Sequence, residues 1–390
     1  MTGIHFFKWE SIVSIALTPK AACLILLRRK KEFLIKQMKR IFVLLFSVVF
    51  CNSLYAFSLS VGSNHVKINQ TTTVTVGDIS VRPTDYQWSS NIGTITGSGA
   101  SVTFNAPATK GKATISVTVK NGATNLWSGT AQVLVYKSII IIKTDDYYYC
   151  AWNPPSYIYP NYKAYIDYMV SAHIKTSVGL NAGIALSSKV DVAGAFADAT
   201  KAYLKTGYVE IYNHSYSHDC QTMKSLATLN TELQNCENLT FSKLGIHLRG
   251  FGPPGACVPG VSADLLTALN NLTELKYAFQ VNGYGTFNGF LFSDADNRIN
   301  CESRSFVISL SQLQSEYTSK KDRPVNYIQI HPAWWGTSPG TADYATNMAE
   351  WQQIIAYLKT DGATIILPYD YVRMLNEPVF VPDEGPGGNL

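Results

Sequence analysis

Two textures of apolar and polar residues divide the chain near Lys137. Before it, residues 57–136 place Thr or Ser alternately with Val or Ile in short runs, as in Thr71-Thr72-Thr73-Val74-Thr75-Val76 and Ala113-Thr114-Ile115-Ser116-Val117-Thr118-Val119. A period of two marks strands with one buried face. Turn signals at Gly77-Asp78, Gly97-Ser98-Gly99 and Asn121-Gly122 separate the runs and predict an antiparallel sandwich with Trp88 in its core.

After Lys137, short apolar runs alternate with longer amphipathic ones. Strands are predicted over 138–144, 176–180, 208–212, 248–252, 277–281, 306–310, 327–330 and 364–367, with helices over 161–173, 192–205, 221–244, 263–270 and 344–359. Repeated strand–helix units imply a parallel sheet, and about seven of them imply a distorted (β/α) barrel of the α/β class. The predicted domains are a leader at 1–56, the sandwich at 57–136, the barrel at 137–376 and a flexible tail at 377–390.

The barrel reading gives meaning to scattered polar residues, because barrels of this kind carry their sites at the carboxyl ends of strands. Asp145-Asp146 follow the first strand, His214 the third, Gly252-Pro253-Pro254-Gly255 the fourth and His331 the seventh. Adjacent side chains in a strand diverge, so one Asp is free to ligate while its neighbour stays available as a base. His214 and His218 are spaced to converge on one ion, with His218 expected in the first turn of a helix starting near Ser217. An Asp and two His make an open site for a divalent ion, and the second Asp with a third His supplies a base and an acid. Aromatic residues crowd the same rim; of these, Tyr148 and Trp335 are expected to touch a ligand through their flat rings.

The formal charge of +5 is concentrated in residues 1–56, which hold nine Lys and Arg against Glu10 and Glu32. The rest is slightly acidic, which argues against a nucleic-acid partner. Met38-Lys39-Arg40, the apolar run from Ile41 to Phe50, and Asn52-Ser53-Leu54-Tyr55-Ala56 read as a signal peptide cleaved after Ala56, with Met38 the working start. That run is too short for a spanning helix, so no membrane span is expected after cleavage. Export permits disulfides, but the five cysteines beyond the leader (Cys150, Cys220, Cys236, Cys257 and Cys301) leave at least one thiol unpaired.

These motifs carry a resemblance. From about Ser138 to Met374 the chain resembles the polysaccharide deacetylases of carbohydrate esterase family 4, the NodB-homology domain, through Thr144-Asp145-Asp146, His214-Ser215-Tyr216-Ser217-His218, Phe251-Gly252-Pro253-Pro254-Gly255 and Ile328-Gln329-Ile330-His331-Pro332. The resemblance implies that Asp146, His214 and His218 hold a divalent metal, usually zinc, that Asp145 is the base for the attacking water, that a backbone N–H near Gly255 helps bind the oxyanion, and that His331 protonates the leaving group. An acetylated polysaccharide is the implied partner, and a secreted or cell-envelope location the implied setting. Where the family has Arg before Pro-Pro this chain has Gly252; Arg249 is the candidate replacement, and Asp294 and Asp296 are candidates for the carboxylate behind His331. Residues 99–107 resemble bacterial immunoglobulin-like modules. Two alternatives stand beside this reading: hydrolysis of a non-sugar amide on the same fold, and an inactive carbohydrate-binding or adhesion protein.

Overall fold

A computed structural model describes residues 57–77, 82–147, 158–188, 191, 194–219, 224–254, 262–280, 286–303, 306–336 and 338–385. The first segment forms two four-stranded sheets. One runs in the order β1 (Ser58–Val61), β3 (Thr71–Gly77), β6 (Ser101–Asn105), β5 (Thr94–Thr96); the other runs β2 (His65–Lys67), β8 (Thr124–Tyr136), β7 (Gly111–Asn121), β4 (Asp85–Ser90). The alternation read in the sequence is visible as burial: Val74 and Val76 are covered while Thr71 and Thr73 are exposed. Val74, Phe104, Ile115 and Val133 form the core, with half-buried Trp88 against it.

The rest is a nearly closed, parallel (β/α) barrel. Its strands are β9 (Ile139–Tyr147), β10 (Thr176–Leu180), β11 (Val209–Asn213), β12 (Gly250–Phe251), β13 (Tyr277–Phe279), β14 (Phe290–Phe292), β15 (Arg298–Asn300), β18 (Asn326–Ile330) and β19 (Thr364–Ile365). The sheet order is β14-β13-β12-β11-β10-β9-β18-β15, with β19 paired to the start of β9. Strands β14 and β15 were not anticipated, because each spans three residues and carries almost no pattern. The run at 306–310 is not a barrel strand: Phe306–Val307 (β17) pairs antiparallel with Glu302–Ser303 (β16), and a helix begins at Leu310, capped by Ser309.

Period two along β9 splits the core. Ile139 and Ile141 point into the barrel with Tyr212, Tyr277, Phe279, Phe292 and Tyr327, whereas Ile140 and Ile142 pack outward under the helices. The inward series continues to Lys143 and Asp145, so two charged residues lie directly above an aromatic layer. At the opposite end, Tyr371, Val372 and Met374 of the helix Pro368–Asn376 close the barrel. Of the stretch expected as a flexible tail, residues 377–385 are described and make specific bonds: Asn64 donates to the carbonyls of Glu377 and Phe380, and Glu384 accepts from Lys110 at 2.8 Å. Cys236 is a buried free thiol. No helix among the described residues is long and apolar enough to cross a membrane.

Candidate active site

Asp145 and Asp146 end β9 with a bulge. Thr144 pairs with Val178 and Tyr147 with Leu180, so two β9 residues stand opposite Gly179 alone. A bulge of this kind re-aims the side chains around it, and Asp146 takes a left-handed backbone at φ +62°. The two carboxylates, expected to diverge, therefore both reach His214: its Nε2 is 3.2 Å from Asp146 Oδ1 and its Nδ1 is 3.8 Å from Asp145 Oδ1.

His214 follows β11 directly. Asn181 donates to its backbone carbonyl, and Nδ1 meets the carbonyl of Gly252 at 2.8 Å. Donation from Nδ1 leaves Nε2 as an acceptor facing Asp146. His218 is not in a helix, as had been expected: the helix starts at Leu226 with Ser225 as its cap. Ser215 and His218 both have positive φ, the Ser215 hydroxyl accepts from the His218 N–H at 2.9 Å, and Glu232 accepts from the N–H and hydroxyl of Ser217. This turn brings His218 Nε2 to 2.7 Å from Asp146 Oδ1.

The three ligand atoms of Asp146, His214 and His218 lie within 4.8 Å of one another. Carboxylate oxygens and imidazole lone pairs converging this closely need a proton or a cation between them, and one carboxylate with two imidazoles is a fitting donor set for a divalent ion such as zinc. Burial would raise the Asp146 carboxyl, but its bonds to His214 and His218 hold it well below the usual carboxylate range.

Asp145 sits beside this cluster, 2 % exposed. Oδ2 accepts from Lys143 Nζ and, at 2.5 Å, from Gln329 Nε2; Oδ1 accepts from the Tyr212 hydroxyl. Burial works to raise its carboxyl, but Lys143, with His214 and His331, pulls it down to about 2. His331 follows β18, with Nε2 3.7 Å from Asp145 Oδ2. Thus five residues expected at the site, Asp145, Asp146, His214, His218 and His331, are brought together.

Other expected residues lie elsewhere. Arg249 precedes β12 and so sits at the amino end of the barrel; it pairs with Glu274 and lies over the Tyr369 ring. Asp294 and Asp296 precede β15, again at the amino end, whereas His331 is at the carboxyl end of β18. Trp335 is fully buried among Tyr165, Tyr344 and Trp351. Its neighbour Trp334 is the exposed one, at 44 %, and donates Nε1 to Asp146 Oδ2 at 3.3 Å. The 3-10 turn Pro332–Trp334 sets that phase, and Asn161 fastens it through the carbonyls of Ala333 and Gly336. Tyr148 and Gly255 lie outside the described residues.

Sequence reasoning missed Lys143, Tyr212 and Gln329, and it chose Trp335 over Trp334 among the rim aromatics. Lys143 left a readable trace: a lone charge at an inward position of an otherwise apolar run.

No family model matches the chain, and no curated protein matches it. Solved structures that resemble it include the Xyl-CE4 domain of a multidomain xylanase from the hindgut metagenome of Trinervitermes trinervoides (16 % identity, 63 % of this chain and 94 % of that one, TM-score 0.41). A family 4 acetyl xylan esterase from Clostridium thermocellum in complex with cobalt resembles it at 14 % identity, over 64 % of this chain and 94 % of that one, TM-score 0.41. A CE4 family pseudoenzyme from Bacillus anthracis does so at 14 % identity, over 62 % and 74 %, TM-score 0.41.

Proposed function

We propose that the protein is a divalent-metal-dependent hydrolase that removes acetyl groups from an N- or O-acetylated polysaccharide of the chitin-like, peptidoglycan or acetylxylan class, acting outside the cytoplasm. One observation carries this reading: the Asp146, His214 and His218 ligand atoms converge within 4.8 Å, and a second carboxylate and a third imidazole, Asp145 and His331, stand 3.7 Å apart beside them.

Asp146, His214 and His218 would hold the ion. When bound, it supplies a Lewis acid that polarises the acetyl carbonyl and makes a water acidic near neutral pH. The chain's own residues manage the protons. Asp145, ionised across the neutral range, accepts the proton of the attacking water. His331 donates to the departing amine or alcohol, which is a poor leaving group without a proton. Asp145 and His331 are near enough for that proton to pass between them after a small shift. Trp334, exposed beside Asp146, offers a flat ring to the sugar. Residues 57–136 are assigned as an immunoglobulin-like module, and the signal-peptide reading of the leader supports export.

The test is acetate release from acetylated chito-oligosaccharides, peptidoglycan and acetylxylan, with zinc and after chelation. Release should require metal, and Asp145→Asn should abolish it while zinc still binds. A wild type as inactive as Asp145→Asn on all of these substrates would refute the reading.

A further inference from the structure

Lys143 is fully buried, with its Nζ 5.7 Å from the centre of the Tyr212 ring and 5.5 Å from that of Phe279. A lysine without exposure is rare unless paired, and its position follows from the strand: Lys143 and Asp145 are two apart on β9 and share the inward face. Nζ donates to Asp145 Oδ2 and, at 3.3 Å, to Gln280 Oε1. Gln280 Nε2 then donates to Gln329 Oε1 at 2.7 Å, and Gln329 Nε2 donates back to Asp145 Oδ2. Each donor in this closed ring faces an acceptor.

The ring needs the glycine that stands after β12. A Cβ at position 252 would lie 2.7 Å from Cε2 of the Tyr212 ring and 3.3 Å from Cε of Lys143. Tyr212 could make room only by giving up hydrogen bonds, since its hydroxyl also meets the Thr144 carbonyl at 2.8 Å. An empty position 252 and a lysine at 143 therefore belong together.

We propose that Lys143 is the positioning residue of this site: it fixes the Asp145 carboxylate from inside the barrel, with Gln280 and Gln329 closing the ring and Gly252 leaving room for it. The inference rests on the reading of Asp145 as the base. It places the counter-charge on the inward face of β9, two residues before Asp145 along the strand, and not at the carboxyl-end rim.

The register suggests the test. Gln329 pairs with Lys143 across β18 and β9, and both touch Asp145 Oδ2, so Lys143→Gln and Gln329→Lys together exchange the two groups at nearly constant volume. Lys143→Gln alone should lower kcat about 10–100-fold, the usual cost of removing a residue that supports an active group, with KM and zinc affinity unchanged. The exchanged double variant should recover most of that loss. A double variant worse than either single one, or losses that track only the folded fraction, would overturn the proposal. A second readout needs no turnover: in metal-free protein, urea unfolding of Lys143→Gln, Asp145→Asn and their combination should be strongly non-additive, because each single change strands a buried partner. Additive effects would overturn the pairing. If the wild type cleaves no acetylated substrate, the functional reading fails and this cycle still decides the role of Lys143.

Discussion

Asp146 and His218 meet at 2.7 Å, Oδ1 to Nε2, and both do so from left-handed backbone, at φ +62° and +63°. Non-glycine residues in that region cost on the order of 1 kcal/mol each and persist where the surroundings over-determine them. His218→Asn separates the two demands, since Asn tolerates this conformation and removes the imidazole. Without metal, the His218→Asn variant should melt at or above the wild-type temperature. Its zinc affinity should fall by more than the roughly 10–100-fold that loss of a merely supporting residue costs. Calorimetric titration with zinc and a thermal melt check both.

Gly179 is the residue opposite the bulge, and a Cβ there would lie 2.8 Å from the Tyr212 hydroxyl. Gly179→Ala should push that hydroxyl off Asp145. Overpacking of this kind costs about 1–3 kcal/mol, measurable by urea unfolding, and kcat should fall with it. A variant with wild-type stability and activity would show that Tyr212 is free to move.

Much of the barrel was legible because β9, β10, β11 and β18 are buried on both faces and read as apolar runs bounded by helices. The strand ends were legible too, which is why Asp145, Asp146, His214, His218 and His331 were found. What escaped has a common cause. The bulge at Asp145-Asp146, the left-handed turn at Ser215 and His218, and the 3-10 phase that buries Trp335 and exposes Trp334 are departures from regular periods. Periodicity carries no information about them. Arg249 was misplaced for the converse reason: proximity in sequence to the glycine turn conceals that a strand runs between them, setting them at opposite ends of the barrel.

The two tryptophans should behave differently. Trp335→Ala empties a packed aromatic site and should cost about 3–5 kcal/mol of stability. Trp334→Ala removes a half-exposed ring, so the melting temperature should hardly change, while KM for a polymeric substrate rises and that for a short one rises less. Equal KM shifts on both substrates would confine Trp334 to its hydrogen bond with Asp146.

Glu210 sets a pH dependence that lies outside the site. It is 3 % exposed on β11, accepts from the Tyr277 hydroxyl at 2.6 Å and from the Tyr369 N–H at 3.3 Å, and burial pushes its carboxyl up to about 8. In the unfolded chain the same group titrates near 4.5. Between those values the folded protein holds a proton that the unfolded chain has released. The contribution of Glu210 is therefore complete below about 4.5 and is lost as pH rises towards 8, on the order of a few kcal/mol across the window. Glu210→Gln keeps the shape and the acceptor for Tyr277 but cannot ionise. The variant, which gives up the acceptor for the Tyr369 N–H, should be the less stable of the two in urea near pH 5, and that difference should shrink and reverse as pH approaches 9. Parallel stability curves across that range would show that Glu210 is ionised in the fold, with Lys175, itself paired to Asp370 at 2.7 Å, as a source of compensating charge.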